Sequence, residues 1–302
     1  MKGEAEIGRI ELPLGGLGWL PDYPDFRDYT AEHEDVRPFL ERTKIAAKGK
    51  KLATPSLPAS VDLREWCPPI EDQGELGSCT ANAGVGIVEY FERRAFGKHI
   101  DASRLFLYKT TRNLLHSTGD TGAFLRTTMK ALRLFGTPPE EYWPYVIADF
   151  DCEPSAFCYA FGEEFKAIVY YRLDPAGTAA SVLLACVKSH LYAGLPSMFG
   201  FTVYQSMSQA ASTGKIPVPS SGDKVAGGHA VVVVGYDDNI KTKNAAAGSK
   251  TFAGALLIRN SWGAWGPMDG YLWLPYEYVL RGLATDWWVL LKSGWVDLGQ
   301  FE

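Results

Sequence analysis

A cysteine at the start of a predicted helix is the first group in this sequence that could do chemistry. Cys79 follows a turn-rich stretch with Asp72, Gly74 and Gly77, and precedes small and apolar residues at helical spacing. Ser78 is a good N-cap, which would place Cys79 in the first helical turn. Free backbone N–H groups and the positive end of the helix dipole favour a thiolate there. A small buried cysteine that closes a loop explains this stretch equally well.

Two later stretches supply the groups that a thiol nucleophile needs. His229 lies in G-G-H-A-V-V-V-V and Asn260 lies in I-R-N-S-W-G. Together with Gln73 and Cys79, these stretches resemble the papain family of cysteine peptidases, which has the same Cys–His–Asn order over a long gap. The resemblance runs over residues 57–291. It is closest to a compact bacterial branch, through D-Q-G-E-L-G-S-C-T-A-N-A and S-R-L-F-L-Y.

The resemblance implies a role for each of four residues. Cys79 would be the nucleophile, with its thiolate stabilised by the helix terminus and by His229 as an imidazolium. His229 would act as base and acid, and Asn260 would accept a hydrogen bond from its ring. Gln73 would donate its side-chain amide to the oxyanion, together with the backbone N–H of Cys79. Taken singly, His229 could also be a core histidine, Asn260 a turn asparagine and Gln73 a loop glutamine.

Two further residues are assigned to substrate binding by the same resemblance. Gly122 resembles the family's glycine that pairs with the substrate backbone. Trp262 is expected to cover the histidine–asparagine contact and exclude water, with core packing as the alternative. The sequence also departs from the family, with Leu76 in place of a disulfide cysteine and Thr80 in place of a tryptophan.

Composition limits the class of protein. A chain of 302 residues with 46% hydrophobic residues suits one two-lobed enzyme or two small domains. A net charge of −5 argues against nucleic acid as a partner, and no apolar run reaches the roughly 18 residues of a membrane span. The charged N-terminus shows no signal peptide, so we expect a cytoplasmic protein or export by another route. Neither H-E-x-x-H nor C-x-x-C occurs, so no metal or cofactor is expected.

The five cysteines leave at least one thiol unpaired, as a catalytic cysteine requires. Zero, one or two disulfides remain open among Cys67, Cys152, Cys158 and Cys186, and Cys152 and Cys158 are close enough in sequence to pair. Reduced buried cysteines are an equally good prediction.

The order of elements predicts an α+β fold. Residues 79–136 are mostly helical, with Ser103 as an N-cap and Gly136 as a stop, and Ser181–Tyr192 is another helix. Five strands follow: Ser197–Tyr204, His229–Tyr236, Ala255–Arg259, Gly270–Leu274 and Trp287–Leu291, with residues 237–250 as a hairpin loop. The family resemblance implies two lobes, a helical one carrying the cysteine and an antiparallel β-barrel-like one carrying the histidine and asparagine.

The first 55 residues differ from the rest. Residues 1–30 are rich in Gly, Pro and aromatic side chains without periodicity, and residues 41–55 form a lysine-containing linker that is easily cut. We therefore expect a pro-segment-like strap over 1–55 and a peptidase domain over 56–302. The strap would lie in the cleft, anchored by Trp19, Tyr23 and Phe26. A purely structural strap is the alternative.

The resulting hypothesis is a cysteine peptidase, expected to be an endopeptidase, that acts on peptide or protein substrates and is restrained by its own N-terminal segment. An exopeptidase or acyl-transferring relative is an alternative within enzymes. A non-hydrolytic peptide-binding protein on the same scaffold is the alternative from another class. Such proteins typically lose the nucleophile or the histidine, whereas all four groups are present here.

Overall fold

Helices dominate the first half of the chain and strands the second. The computed structural model describes residues 16–42, 57–246 and 248–293. Its helices are α1 (Arg37–Arg42), α2 (Cys79–Phe96), α3 (Arg104–Leu114), α4 (Leu125–Leu134), α5 (Ala156–Gly162), α6 (Ala180–Tyr192), α7 (Ala210–Thr213) and α8 (Tyr276–Leu280). Its strands are β1 (Ser60–Asp62), β2 (Ala167–Arg172), β3 (Ser197–Tyr204), β4 (Val225–Lys243), β5 (Thr251–Arg259), β6 (Tyr271–Pro275) and β7 (Ala284–Ser293). The α+β prediction is confirmed.

The strands form one seven-stranded antiparallel sheet in the order β2-β7-β3-β4-β5-β6, with β1 paired to β4. In the described residues the sheet stays open, because β2 and β6 are its outer strands and do not pair, so it is not closed into the barrel-like lobe of the prediction. The central strand β4 pairs with β3 along its first half and with β5 along its second. Residues 237–243 therefore continue the strand instead of forming the predicted loop.

Helix α2 is the centre of the helical half and carries Cys79 at its first position. It is buried along most of its length and packs on β4, as expected from the small or apolar side chains of residues 79–88. It ends where Gly97 takes a left-handed conformation with φ of 71°. Ser78 is the N-cap residue as predicted, but its hydroxyl bonds the Tyr145 hydroxyl at 2.6 Å instead of capping the first turn.

The other helices agree with their local signals. The Ser103 hydroxyl accepts the backbone N–H of Phe106 at the start of α3, and Gly136, with φ of 65°, follows the end of α4. Among the described residues all five cysteines are free, and Cys152 is exposed while Cys158 is buried. Within the same ranges, none of the helices has both the length and the apolar character needed to cross a membrane.

Residues 16–42 are the part of the predicted N-terminal strap that the structure describes, and they are called the strap below. They lie against the body of the protein, which is residues 57–293. Val36 and Leu40 join its hydrophobic core. Arg126 of α4 pairs with Asp28, at 2.6 Å, and with Asp22 of the strap. Residues 1–15 and 43–56, including most of the predicted linker, lie outside the described residues.

Candidate active site

Cys79 is fully buried at the N-terminus of α2. Burial raises the pKa of its thiol to about 11, and backbone N–H groups of Ala230 and Gly18 oppose that shift by donating to the sulfur. The helix terminus therefore does not favour a thiolate at Cys79 in this structure. The contact with Ala230 sets the thiol beside the segment of β4 that carries His229.

His229 is held from two sides. Its Nε2 lies 2.7 Å from Oδ1 of Asn260, and its ring stacks on the Trp262 indole with centroids 4.6 Å apart. Its Nδ1 is buried and has no hydrogen-bond partner among the described residues. Burial lowers the pKa of the ring to about 4, and the bond to Asn260 opposes the shift. A neutral imidazole is thus fixed in one orientation, with one nitrogen unused.

Gln73 is held by the turn that follows Asn260. Its Oε1 accepts from the Ser261 hydroxyl at 2.5 Å, and its backbone N–H donates to the Ser261 carbonyl at 2.9 Å. These contacts leave the Nε2 amide to donate to the Leu76 carbonyl at 2.8 Å and to Gly16 of the strap at 2.7 Å. Sequence reasoning missed Ser261, although its position next to Asn260 was a usable signal.

The sequence matches a known protein family over most of its length. The profile described as "Papain family cysteine protease" matches residues 57–285. The chain belongs to the papain family of cysteine proteases. A peptidase C1-like protein of Acanthamoeba polyphaga mimivirus is 35% identical over 91% of this chain and 86% of its own length. Cathepsin K of Gallus gallus is 30% identical over 72% of this chain and 58% of its own length.

A solved structure supports the resemblance to the compact bacterial branch. The crystal structure of xylellain, a cysteine protease from Xylella fastidiosa, is 32% identical, with a TM-score of 0.72 over 91% of this chain and 96% of that one. A digestive procathepsin L of Tenebrio molitor shares the fold at 19% identity and a TM-score of 0.58. This chain is accordingly a cysteine peptidase, and its substrates are peptides or proteins.

In this papain-family protease the strap crosses the site as an extended chain. The N–H of Gly16 donates to the Gly74 carbonyl at 3.1 Å, and the N–H of Trp19 donates to the Gly228 carbonyl at 3.2 Å. Between these points, Gly18 reaches the thiol sulfur of Cys79. The strap therefore contacts both the predicted nucleophile and the predicted oxyanion donor Gln73.

The backbone pairing assigned to Gly122 falls on its neighbour. The N–H of Ala123 donates to the Gly18 carbonyl at 2.8 Å, and the carbonyl of Ala123 accepts from Leu20 at 3.0 Å. The N–H of Gly122 instead donates to the Tyr108 hydroxyl at 3.1 Å. The strap thus pairs with the residue that follows Gly122, and the role of Gly122 toward a substrate stays a prediction.

Of the three predicted aromatic anchors, one holds. Trp19 is 6% exposed and is buried against the body. Tyr23 and Phe26 are 87% and 95% exposed, so their assignment as anchors was wrong. Beyond Leu20, whose N–H still bonds the Ala123 carbonyl, Asp22 and Asp28 attach the strap through their ion pairs with Arg126.

Proposed function

We propose that this protease cleaves peptide bonds with Cys79 as nucleophile, His229 as base and acid, Asn260 as its orienting partner and Gln73 as oxyanion donor. The observation that carries the proposal is the oriented imidazole. One ring nitrogen is bound to Asn260 at 2.7 Å, and the other is buried and unpartnered within the described residues. The next residue on the strand, Ala230, donates its backbone N–H to the Cys79 sulfur, which brings the histidine and the thiol to the same part of the cleft. A core histidine with no further role would be expected to have both nitrogens satisfied.

The chemistry follows from these positions. The Cys79 sulfur, having given its proton to His229, attacks the peptide carbonyl carbon, and the carbonyl oxygen gains the negative charge. The Gln73 amide and the backbone N–H of Cys79 stabilise that charge. The imidazolium passes its proton to the departing amine, which leaves a thioester. His229 then takes a proton from water, whose oxygen attacks the thioester and releases the acid and the thiol.

Ser261 and Trp262 contribute by positioning. The Ser261 hydroxyl holds Oε1 of Gln73, and the Leu76 carbonyl takes one amide hydrogen, so that the hydrogen now donated to Gly16 would serve the oxyanion. Trp262 shields the contact between His229 and Asn260 from water, which strengthens that hydrogen bond. We assign Trp262 and the 122–123 backbone to the substrate-binding part of the cleft.

We further propose that residues 1–55 are a pro-segment-like strap and linker, and that residues 56–302 are the peptidase domain. Three contacts support restraint by the strap. Gly16 occupies the Gln73 amide, Gly18 contacts the Cys79 sulfur, and the strap backbone pairs with Ala123. A peptide cannot reach the sulfur while these contacts persist.

A non-hydrolytic binding protein is not favoured, because the four catalytic groups are all present in a chain of this family. The test is labelling by an irreversible thiol-directed epoxide, mapped by mass spectrometry in a chain whose strap has been opened. We expect the label on Cys79, and Cys79→Ala should lose peptidase activity while remaining folded. Cys67→Ala is the matched control, because Cys67 is also buried with a pKa raised to about 11. Labelling at Cys67 alone would overturn the assignment.

A further inference from the structure

The indole of Trp19 fills a flat slot formed by two strands. Gly200 of β3 and Gly228 of β4 form its walls, since a Cβ on Gly200 would lie 1.9 Å from the indole ring and one on Gly228 would lie 2.8 Å from it. Both glycines leave the sheet without side chains where the ring lies. The slot therefore has the shape of a planar side chain.

A buried carboxylate lies at the end of this slot. Asp286 is fully buried, and its Oδ2 accepts the indole N–H of Trp19 at 3.1 Å. It stands at an irregularity in the pairing of β7 with β3, where Thr285 pairs with Gly200 and Trp288 with Met198. Its φ of 62° is unusual for a residue with a side chain, and this backbone aims the carboxylate into the slot.

The other carboxylate oxygen of Asp286 is already engaged. Oδ1 accepts the indole N–H of Trp288 at 2.7 Å and lies 3.3 Å from Nη1 of Arg172. Both partners are themselves buried. One oxygen is thus committed to the body of the protein, and Oδ2 remains for whatever fills the slot.

We propose that this slot is a substrate side-chain pocket that selects tryptophan, with Asp286 as the specificity-determining residue and Trp19 of the strap as its occupant in the closed chain. The proposal rests on the proposed function, because it names the substrate class of the same cleft. The same backbone links the two sites, since Gly228 immediately precedes His229 and its carbonyl accepts from Trp19.

A basic side chain is the natural competitor for an acidic pocket, and the structure argues against it. Arg172 already supplies a positive charge to the same carboxylate, so a second cation would enter beside a like charge. Burial also raises the pKa of Asp286 to about 7, with Arg172 and the indole donors opposing, so the carboxyl is partly neutral near neutral pH. A neutral N–H donor on a flat ring suits such an acceptor better.

The test uses the full chain with Trp19→Ala, which vacates the slot. The substrates are internally quenched peptides built from Gly, Ala and Ser. Each peptide carries a single tryptophan, and its position differs from one peptide to the next. Matched peptides carry benzothienylalanine, which has the shape of tryptophan and lacks the N–H, or phenylalanine or arginine. At one position we expect kcat/KM for tryptophan to exceed that for benzothienylalanine by about tenfold, because the analogue leaves the buried Oδ2 of Asp286 without its hydrogen-bond donor.

Asp286→Asn in the same background should abolish that ratio, and Asp238→Asn, which removes a carboxylate from β4 away from the slot, should leave it intact. Equal rates for tryptophan and benzothienylalanine, or a preference for arginine, would overturn the proposal.

A second readout needs no catalysis. The Kd of the same peptides is measured by calorimetry on the full chain with Trp19→Ala and Cys79→Ala. Tryptophan-selective binding without hydrolysis in the active-site-intact chain would leave the pocket standing and remove the proposed function. Hydrolysis without tryptophan selectivity would support the proposed function and overturn the pocket proposal.

Discussion

Replacing Trp19 with alanine should open the active site of the intact chain. Trp19 is the one aromatic side chain of Trp19, Tyr23 and Phe26 that the body buries, and its N–H bonds Asp286. The closed state loses this contact in the variant, whereas the open state has no such contact to lose. The equilibrium between the two states should shift accordingly.

The size of the shift follows from the buried area. A buried tryptophan removes about 150–250 Å² from water, worth about 4–6 kcal/mol at 25 cal/mol per Å². Tryptophan-to-alanine changes in cores cost about 3–5 kcal/mol. At 1.36 kcal/mol per factor of ten, a cost of about 3–5 kcal/mol should raise the open fraction by about 10²–10⁴ until the open state predominates.

The assay is the second-order rate of Cys79 inactivation by a thiol-directed epoxide, with the label mapped by mass spectrometry. Tyr23→Ala is the matched control, because Tyr23 belongs to the same strap and is 87% exposed. It should change the rate by less than about threefold. If Trp19→Ala and Tyr23→Ala reacted at the same rate, with both chains folded by circular dichroism, the strap would not control access to Cys79.

Three further experiments test other parts of the site. In an opened chain, Gln73→Ala should lower kcat by about 10²–10³ through loss of an oxyanion donor, and an unchanged kcat in steady-state assays would contradict its role. In the intact chain, iodoacetamide should alkylate Cys79 appreciably only as the pH rises toward the thiol pKa of about 11. The raised pKa means that the thiol binds its proton more tightly in the closed state than in the open state. The stability of the closed state relative to the open state is therefore fully present at neutral pH and is lost as the pH rises toward the raised pKa. An alkylation rate already maximal at neutral pH would refute the buried neutral thiol. Arg126→Gln removes the ion pairs of Arg126 with Asp22 and Asp28 and should speed epoxide inactivation by about threefold to tenfold. An unchanged rate would exclude these ion pairs as an attachment.

Local elements were predictable because their signals are local. The Ser103 cap and the Gly136 stop act on neighbouring backbone groups, and the helices that they bound agree with the sequence. The extension of β4 beyond Tyr236 was not predictable in this way. Polar residues 237–243 become strand through pairing with β5, which no local pattern records.

The site could be predicted only in part. Gln73, Cys79, His229 and Asn260 were recognisable through family resemblance, whereas periodicity identified at most Cys79. The expected thiolate was wrong for the closed chain, because burial raises the thiol pKa. A helix start predicts stabilisation of a charge, but the sequence could not show how completely the thiol would be covered.

Which aromatic residue anchors the strap depends on the shape of the surface beneath it, and the sequence does not show that shape. Trp19 and Phe26 are both aromatic, and composition gave no reason to separate them. What separates them is a slot between Gly200 and Gly228, which are distant in sequence and meet only when β3 and β4 pair. Burial of one aromatic side chain was therefore decided by tertiary structure.

Two glycines of the strap lie too close to the body to carry a side chain, and this has a genetic consequence. A Cβ on Gly16 would lie 2.3 Å from the Glu75 carbonyl oxygen, and one on Gly18 would lie 1.9 Å from that of Gly77. Every missense change at either codon adds a Cβ, so each would push the strap outward. Under the proposed restraint by the strap, many single-nucleotide changes would release the protease, whereas only a return to glycine would restore the contact.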